Sequence, residues 1–243
     1  MKISKIAMIC LVFSIAALPV FSQDINEREV FDVSVRGVDV GLIGYVAKNN
    51  GFKYSVGFGV RSTGILDFFR NVEINARANG RVVDGELVPN LYEENSIIGK
   101  KANLVVLQYD EGVPNLVEKE PPIDETTPLL DPQEQAGTLD PLSSLYMIFR
   151  SSAKNELCDK DFYLFDGERR AQISMGKPTW DGEKAICDCV FVRIEGYSES
   201  ELEGGKEFPF TVSFDPSSGD PSKYKLSLLE GKSRFGKIRI ERR

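Results

Sequence analysis

Hydrophobic and polar side chains alternate with a period of two along most of the chain. Three segments show the alternation clearly, 31–36, 54–60 and 72–79. In the second segment, apolar residues alternate with Ser55, Gly57 and Gly59. This period is typical of a strand that buries one face and exposes the other. It also predicts strands near 88–97, 102–109, 113–118, 161–165, 169–175, 185–195, 207–214, 223–229 and 236–241, which makes about a dozen in all.

Short turn sequences separate the predicted strands, so sequential strands should be antiparallel neighbours. These turns are Asn49-Asn50-Gly51, Asn79-Gly80, Asp84-Gly85, Glu111-Gly112 and Asp166-Gly167. A long antiparallel sheet must curl or close to remove its exposed edges. We therefore expect an all-β fold in which the sheet forms a half-barrel, a spiral or an open barrel.

One amphipathic helix is predicted at about 140–150. Asp140 is a good N-cap and Pro141 suits the first helical position. The apolar stripe that follows consists of Leu142, Leu145, Tyr146 and Phe149. We expect this helix to pack on the concave face of the sheet, where the stripe either faces a ligand or belongs to the core. We also expect a short turn-like helix at 64–69 and a surface loop at 118–136.

The amino terminus has the pattern of an export signal. Lys2 and Lys5 precede an apolar run that ends at Val20, and Val20-Phe21-Ser22 fits a cleavage site. The run of about 15 residues is shorter than the 20 or so that a spanning helix needs, so a retained anchor is the weaker interpretation. Lipid attachment at Cys10 is disfavoured because the preceding residues are too large. The prediction is a signal peptide at 1–22, cleaved near Ser22, and a single β-rich domain at 23–243.

The composition of the chain disfavours several classes of function. The net charge is −7, and loss of Lys2 and Lys5 with the leader gives −7 − 2 = −9 for the mature chain. An acidic surface disfavours nucleic acid as a partner. The chain contains no histidine, which removes the usual general base and the commonest zinc ligand. We therefore predict a protein that is not an enzyme and that carries no metal or other cofactor.

Two acidic clusters are candidate sites. The first consists of Asp159, Asp161, Asp166 and Glu168. A calcium loop needs oxygen ligands at closely spaced positions, and an apolar run interrupts this cluster, so a hairpin with polar strand ends is the favoured interpretation. The second cluster lies in the predicted loop and is interpreted as solvated surface. Its members are Glu118, Glu120, Asp124 and Glu125.

The mature chain has three cysteines, Cys158, Cys187 and Cys189. An exported chain meets an oxidising compartment, so one disulfide and one free thiol are expected. Pairing of Cys158 with either of the other two closes a loop of about 30 residues, which stabilises by roughly 3–4 kcal/mol. A Cys-x-Cys metal site lacks a second group of ligands.

The carboxyl-terminal segment is rich in basic residues. Two interpretations stay open: peripheral contact with anionic lipid head groups or with acidic glycan, or positive charge that protects a terminal edge strand from pairing with other chains. The second is favoured. The residues are Lys232, Arg234, Lys237, Arg239, Arg242 and Arg243.

Several short motifs follow one another along the chain. They are Ser62-Thr63-Gly64, Phe69-Arg70, Pro89, Tyr92, Gly137-Thr138-Leu139-Asp140-Pro141-Leu142-Ser143-Ser144, Cys158, Phe165-Asp166-Gly167, Arg169-Arg170, Cys187, Arg193-Ile194-Glu195-Gly196-Tyr197, Phe208-Pro209 and Arg234-Phe235-Gly236-Lys237-Ile238. Their order resembles the DUF3108 family of exported proteins of Gram-negative bacteria, over about residues 30–240. The resemblance implies a periplasmic protein and a disulfide between Cys158 and Cys187, although Cys189 departs from the family pattern. It implies no function.

Two functional hypotheses follow. In the first, a curled sheet binds a lipid, an acyl chain or an extended polypeptide in its groove, as the similarly shaped carriers LolA and LolB suggest by fold analogy. In the second, the protein is an envelope-integrity scaffold that works through contacts with other proteins and holds no small ligand, as the β-spiral protein EipB suggests. An unfilled apolar cavity would favour the first, and a tightly packed helix would favour the second.

Overall fold

The structure is a computed structural model of the 243-residue chain and describes residues 25–64, 71–123, 130–233 and 235–243. Several predictions lie outside these residues: the signal peptide and its cleavage near Ser22, most of the turn-like helix at 64–69, Asp124 and Glu125 of the acidic loop, and Arg234 of the basic segment.

Fifteen antiparallel strands in the described part of the chain form one continuous sheet. The all-β prediction is confirmed, and most of the predicted strands lie within a few residues of the observed ones. The turn predicted at Asn79-Gly80 is wrong, because the strand Val72–Val83 runs through both residues and only its pairing register shifts there. The strands are β1 (Ile25–Val35), β2 (Val38–Asn49), β3 (Lys53–Ser62), β4 (Val72–Val83), β5 (Glu86–Ile98), β6 (Lys101–Asp110), β7 (Val113–Glu120), β8 (Ser152–Ala153), β9 (Lys160–Phe165), β10 (Arg170–Met175), β11 (Thr179–Asp181), β12 (Lys184–Glu195), β13 (Glu207–Pro216), β14 (Lys223–Ser233) and β15 (Gly236–Arg242).

The strand order is β7-β6-β5-β4-β3-β2-β1-β15-β14-β13-β12-β10-β9, with β11 beside β12 and β8 beside β14. The last strand therefore joins the first in the middle of the sheet. Val33 of β1 lies opposite Ile240 of β15, which in turn lies opposite Leu229 of β14. The prediction that basic residues protect a terminal edge strand is wrong, because β15 is paired on both sides.

Three basic residues of this segment instead form local ion pairs. Lys237 and Arg239 contact Glu230 at 2.7 and 3.0 Å, and Arg243 contacts Asp32 at 2.7 Å. Most of these side chains are exposed to solvent, which screens the charges, so each pair contributes little to stability. The positive charge of this segment is therefore partly neutralised within the sheet.

The two ends of the sheet approach each other and make the barrel nearly closed. The turn between β9 and β10 packs against β6 and β7, where Lys119 contacts Glu168 at 2.7 Å. A Cβ atom on Gly167 would lie 3.1 Å from a methyl carbon of Leu116, which shows how closely the turn approaches β7. The segment before the main helix adds a parallel bridge between Leu139 and Leu164.

The predicted helix is present as α1 (Pro141–Phe149). A second helix, α2 (Glu199–Leu202), and short 3-10 helices at Pro132–Gln135 and Lys154–Glu156 complete the regular structure of the described residues. The pattern did not predict α2, because one turn is too short to show a helical period. A capping box of Ser198 and Glu201 stabilises it.

Strand β2 was also missed by the pattern. Its inward residues Ile43, Tyr45 and Ala47 are buried and alternate with exposed ones, as in the other strands. Gly41 and Gly44 interrupt the apolar series near its start. A Cβ atom at Gly41 would lie 2.8 Å from the carbonyl oxygen of Arg61, so close backbone approach explains that glycine.

Candidate functional site

Helix α1 fills the concave side of the sheet next to the first five strands. Phe149 packs against Phe31, Tyr45 and Phe58, with ring centroids 5.0–5.8 Å away. Aromatic contacts at these distances add to the stabilisation from apolar burial. The helix thus supplies core to the barrel interior.

The predicted ligand-facing stripe occupies this core. Leu142, Tyr146 and Phe149 are buried, and Leu145 is half-buried. Tyr146 also stacks on Tyr54, with centroids 5.7 Å apart. The packing fills the space that a ligand would need at the three buried members of the stripe.

Asp140 anchors the start of the helix. One carboxylate oxygen accepts hydrogen bonds from the backbone N–H groups of Leu142 and Ser143, and the other accepts one from the Ser143 hydroxyl at 2.5 Å. The Ser143 hydroxyl also shares a hydrogen bond of 2.7 Å with the hydroxyl of Tyr54. Burial raises the pKa of Asp140 to about 6, although the bonds from Ser143 and Leu142 oppose the shift.

This raised pKa predicts a pH dependence of stability. The folded state binds the Asp140 proton more tightly than the unfolded state, whose pKa is near 3.8, so stability falls as the pH rises from about 4 to about 6. A shift of this size corresponds to about 3 kcal/mol. Asp140→Asn keeps a good N-cap but cannot titrate. We expect the free energy of unfolding, measured with urea, to depend less on pH between these values in the variant than in the parent. Identical pH profiles of the two proteins would contradict the raised pKa of Asp140.

The other end of the helix is held by a buried carboxylate on β1. Glu27 accepts hydrogen bonds from the backbone N–H and the hydroxyl of Ser151, at 2.8 and 2.5 Å, just after α1. Its second oxygen accepts one from the hydroxyl of Tyr45 at 2.9 Å. Glu27 therefore has a structural task that accounts for its burial.

The first acidic cluster serves the barrel closure. Asp166 accepts hydrogen bonds from the backbone N–H groups of Glu168 and Arg169 and so shapes the turn. Glu168 contacts Lys119, as described above. The favoured prediction of a hairpin at this cluster is confirmed, because β9 pairs with β10 through that turn. Within the described ranges, no group of three or more acidic or cysteine side chains is arranged to hold a metal ion.

The structure pairs Cys158 with Cys187, whose Cα atoms are 6.1 Å apart, and leaves Cys189 as a buried free thiol. The alternative pairing with Cys189 is not observed. Burial raises the pKa of Cys189 to about 12, so the thiol is protonated near neutral pH and is a poor nucleophile. The disulfide ties the segment after α1 to the inner face of β12.

Loss of this disulfide should destabilise the protein. We expect Cys158→Ser to lower the free energy of unfolding by about 2–4 kcal/mol under oxidising conditions, because the unfolded chain gains loop entropy. Thermal unfolding with and without a reductant measures the effect, and reductant should leave the variant unchanged. Cys189→Ala is the matched control and should keep the response to reductant. Equal stability of Cys158→Ser and the parent would contradict the disulfide.

The outer face carries a continuous groove over β3. Three depressions of about 570, 460 and 450 Å³ adjoin one another on this face. The first two share Asn26, Lys48, Ser55 and Asn79, and the second and third share residues of β2, β3 and β4. The three depressions therefore form one surface, which we call the β3 groove.

Small residues form the floor of the β3 groove. Ser55, Gly57 and Gly59 are successive outward positions of β3, whereas the residues between them are directed into the core. The pairing register places Val46 of β2 and Arg77 of β4 on either side of Gly57. Neighbouring strands lie about 4.8 Å apart, so the walls are about 10 Å apart. The six residue steps from position 53 to position 59 span roughly 20 Å.

Two glycines of this surface have no local reason to be glycine. Gly44 and Gly59 do not adopt a positive φ. A Cβ atom would meet nothing within 4 Å at Gly44 and only the side-chain oxygen of Asn75, at 3.7 Å, at Gly59. Glycine inside a strand costs about 0.5–1 kcal/mol relative to alanine and often marks a close approach by another molecule. Gly57 differs, because a Cβ atom there would lie 2.9 Å from the side chain of Val46.

The sequence carries one indication of this groove. The alternation in 54–60 assigned Ser55, Gly57 and Gly59 to the wet face, where strands usually carry larger polar residues. What the sequence did not show was β2, which contributes Gly44 and Val46. Val46 is 41% exposed and supplies an apolar patch in the groove.

The comparisons with known proteins bear on the fold. No family model matches the chain, and no curated protein does. Among solved structures, the chain is similar to the beta-barrel-like protein of a domain of unknown function, DUF1849, from Brucella abortus, with a TM-score of 0.50 and 11% identity over 90% of this chain and 95% of that one. None of the described helices is long and apolar enough to cross a membrane. The chain therefore has an all-β, barrel-like fold, and the likeness extends no further than the fold.

Proposed function

We propose that this is an exported, non-enzymatic protein of the cell envelope that holds an extended segment of another protein in the β3 groove. Export to the periplasm is supported by the leader pattern and by the disulfide of Cys158 and Cys187. The order of motifs shared with DUF3108 supports the same compartment. The proposal takes the extended polypeptide from the first hypothesis drawn from the sequence and the contact with another protein from the second.

The observation that carries the proposal is the open space above Gly44 and Gly59. Both positions could hold larger outward side chains that favour strands, yet both lack them and leave a groove one strand wide. The interior, by contrast, is packed with α1, and its buried carboxylates hold backbone and hydroxyl groups. The β3 groove thus has free space for a ligand, whereas the apolar stripe of α1 is covered by the protein core.

Larger side chains in the β3 groove should block binding without lowering the stability of the protein. We expect Gly59→Val and Gly44→Thr to fold with stability equal to the parent or up to about 1 kcal/mol higher, because β-branched residues suit strands. A photo-crosslinking residue at Ser55 should give discrete protein adducts in the envelope, and Gly59→Val should abolish them. The control position is Glu183, an exposed residue of a distant turn. Identical adducts at both positions, or none at Ser55, would contradict the proposal.

A second candidate, carriage of a lipid or acyl chain, is favoured by one observation. Several inward apolar residues of the C-terminal half and of β1 are only partly buried, although they adjoin the core. They define a part of the concave face that α1 covers less completely. These residues are Val33, Phe191, Phe210, Leu229 and Ile240.

A further inference from the structure

We infer that the partner segment in the β3 groove is acidic and extended. This inference rests on the proposed function and adds the chemistry of the ligand. Four cationic residues line the groove: Arg28, Lys48, Lys53 and Arg77. Two carboxylates also line it, so the groove has an excess of positive charge in a chain whose net charge is −7.

Neither carboxylate is available to neutralise the remaining cations. Glu93 is bound to Arg77 at 2.6 Å, and Glu27 is directed into the core, where it holds Ser151 and Tyr45. Within the described part of the chain, no carboxylate lies within 4.0 Å of the charged groups of three cations. These are Arg28, Lys48 and Lys53.

The pairing register brings these cations together along one side and one end of the groove. Arg28 lies opposite Val46 and Asn26 lies opposite Lys48, so Arg28 and Lys48 are diagonal neighbours on the outer face. Lys53 lies opposite Arg81 of β4, a second cation whose guanidinium lies 3.9 Å from the carboxylate of Glu111. Like charges on adjacent strands destabilise a sheet, and an anionic partner would relieve the repulsion.

The remaining lining favours a polypeptide as the source of the negative charge. Asn26, Asn79 and Asn90 contribute side-chain amides, each of which can donate to a carbonyl and accept from an N–H. The small residues of the floor allow a backbone to approach closely. In an extended peptide, alternate side chains project to the same side about 7 Å apart, so alternate carboxylates could contact successive cations along the groove wall.

The test uses the mature protein and a fluorescent peptide of about eight residues with alternating Glu and Thr, compared with a Gln–Thr peptide of equal length. We expect the acidic peptide to bind more tightly, and its affinity to fall as the salt concentration rises. Arg28→Glu and Lys48→Glu should each weaken binding about tenfold. Lys177→Glu is the matched control, because this exposed lysine is outside the groove and its substitution changes the net charge equally.

The outcomes distinguish the inference from the proposed function. In one outcome both peptides bind equally, Gly59→Val abolishes binding and Lys48→Glu leaves it unchanged. The groove is then a binding site, but the inference of an acidic partner is wrong. In another outcome neither peptide binds, whereas the anionic polysaccharide polygalacturonate binds and Lys48→Glu weakens its binding. The inference that the partner is a polypeptide is then wrong. If no probe binds, both the inference and the proposed function fail. Circular dichroism confirms that every variant is folded.

Discussion

Removal of β15 should abolish folding. A chain that ends at Gly236 loses the strand that joins β1 to β14, and with it the inward residues Ile238 and Ile240. Two long rows of backbone hydrogen bonds would be broken in the middle of the sheet, and the apolar residues beside them would be exposed. We expect the loss to exceed the whole stability of a typical domain, about 5–15 kcal/mol.

Circular dichroism and limited proteolysis of the truncated chain measure this effect. The expected result is an unfolded or insoluble protein with no cooperative thermal transition. The matched control is Arg243→Ala, which removes only the exposed ion pair with Asp32 and should leave the melting temperature nearly unchanged. A truncated protein that unfolds cooperatively near the temperature of the parent would show that β15 is a detachable tail.

Phe149→Ala should be the most destabilising single substitution in α1. The ring is buried and contacts the rings of Phe31, Tyr45 and Phe58, so its removal leaves a cavity that rigid strands cannot close. Truncations of this kind cost about 3–5 kcal/mol. For a domain of this size, that corresponds to a fall of roughly 10 °C in the melting temperature.

Leu145→Ala is the control for Phe149→Ala. It removes a half-buried member of the same helix stripe and should cost distinctly less. Differential scanning calorimetry gives both values under the same conditions. If the two substitutions have equal small effects, α1 is a loosely attached cover rather than part of the core, and the barrel interior is more accessible than the packing indicates.

The period-two alternation predicted most of the sheet because half-buried strands place apolar residues on one face only. It failed at β2, where Gly41 and Gly44 break the apolar series although pairing with β1 and β3 still forms the strand. It could not predict that β15 joins β1, because strand order across the sheet depends on contacts between residues about 200 positions apart, such as Val33 and Ile240.

The candidate site was less accessible from the sequence than the fold was. The pattern predicted the helix and an apolar stripe on it, but a single stripe cannot show whether it meets protein or a ligand. The β3 groove depends on three strands in register, and one of them was missed. Glycine in a strand is usually explained by a positive φ or by close packing. Gly44 and Gly59 indicate a binding surface only because the space above them is open, and the sequence does not show that space.

The central claim is that the interior under α1 is protein core and that the binding surface lies outside, over β3. Native mass spectrometry of the mature protein isolated from the periplasm, with organic extraction and lipid analysis of the same sample, tests it most directly. The account predicts the mass of the polypeptide with one disulfide and no lipid in stoichiometric amount. A stoichiometric lipid or acyl species, retained in Gly59→Val, would place the ligand inside the barrel and contradict the account.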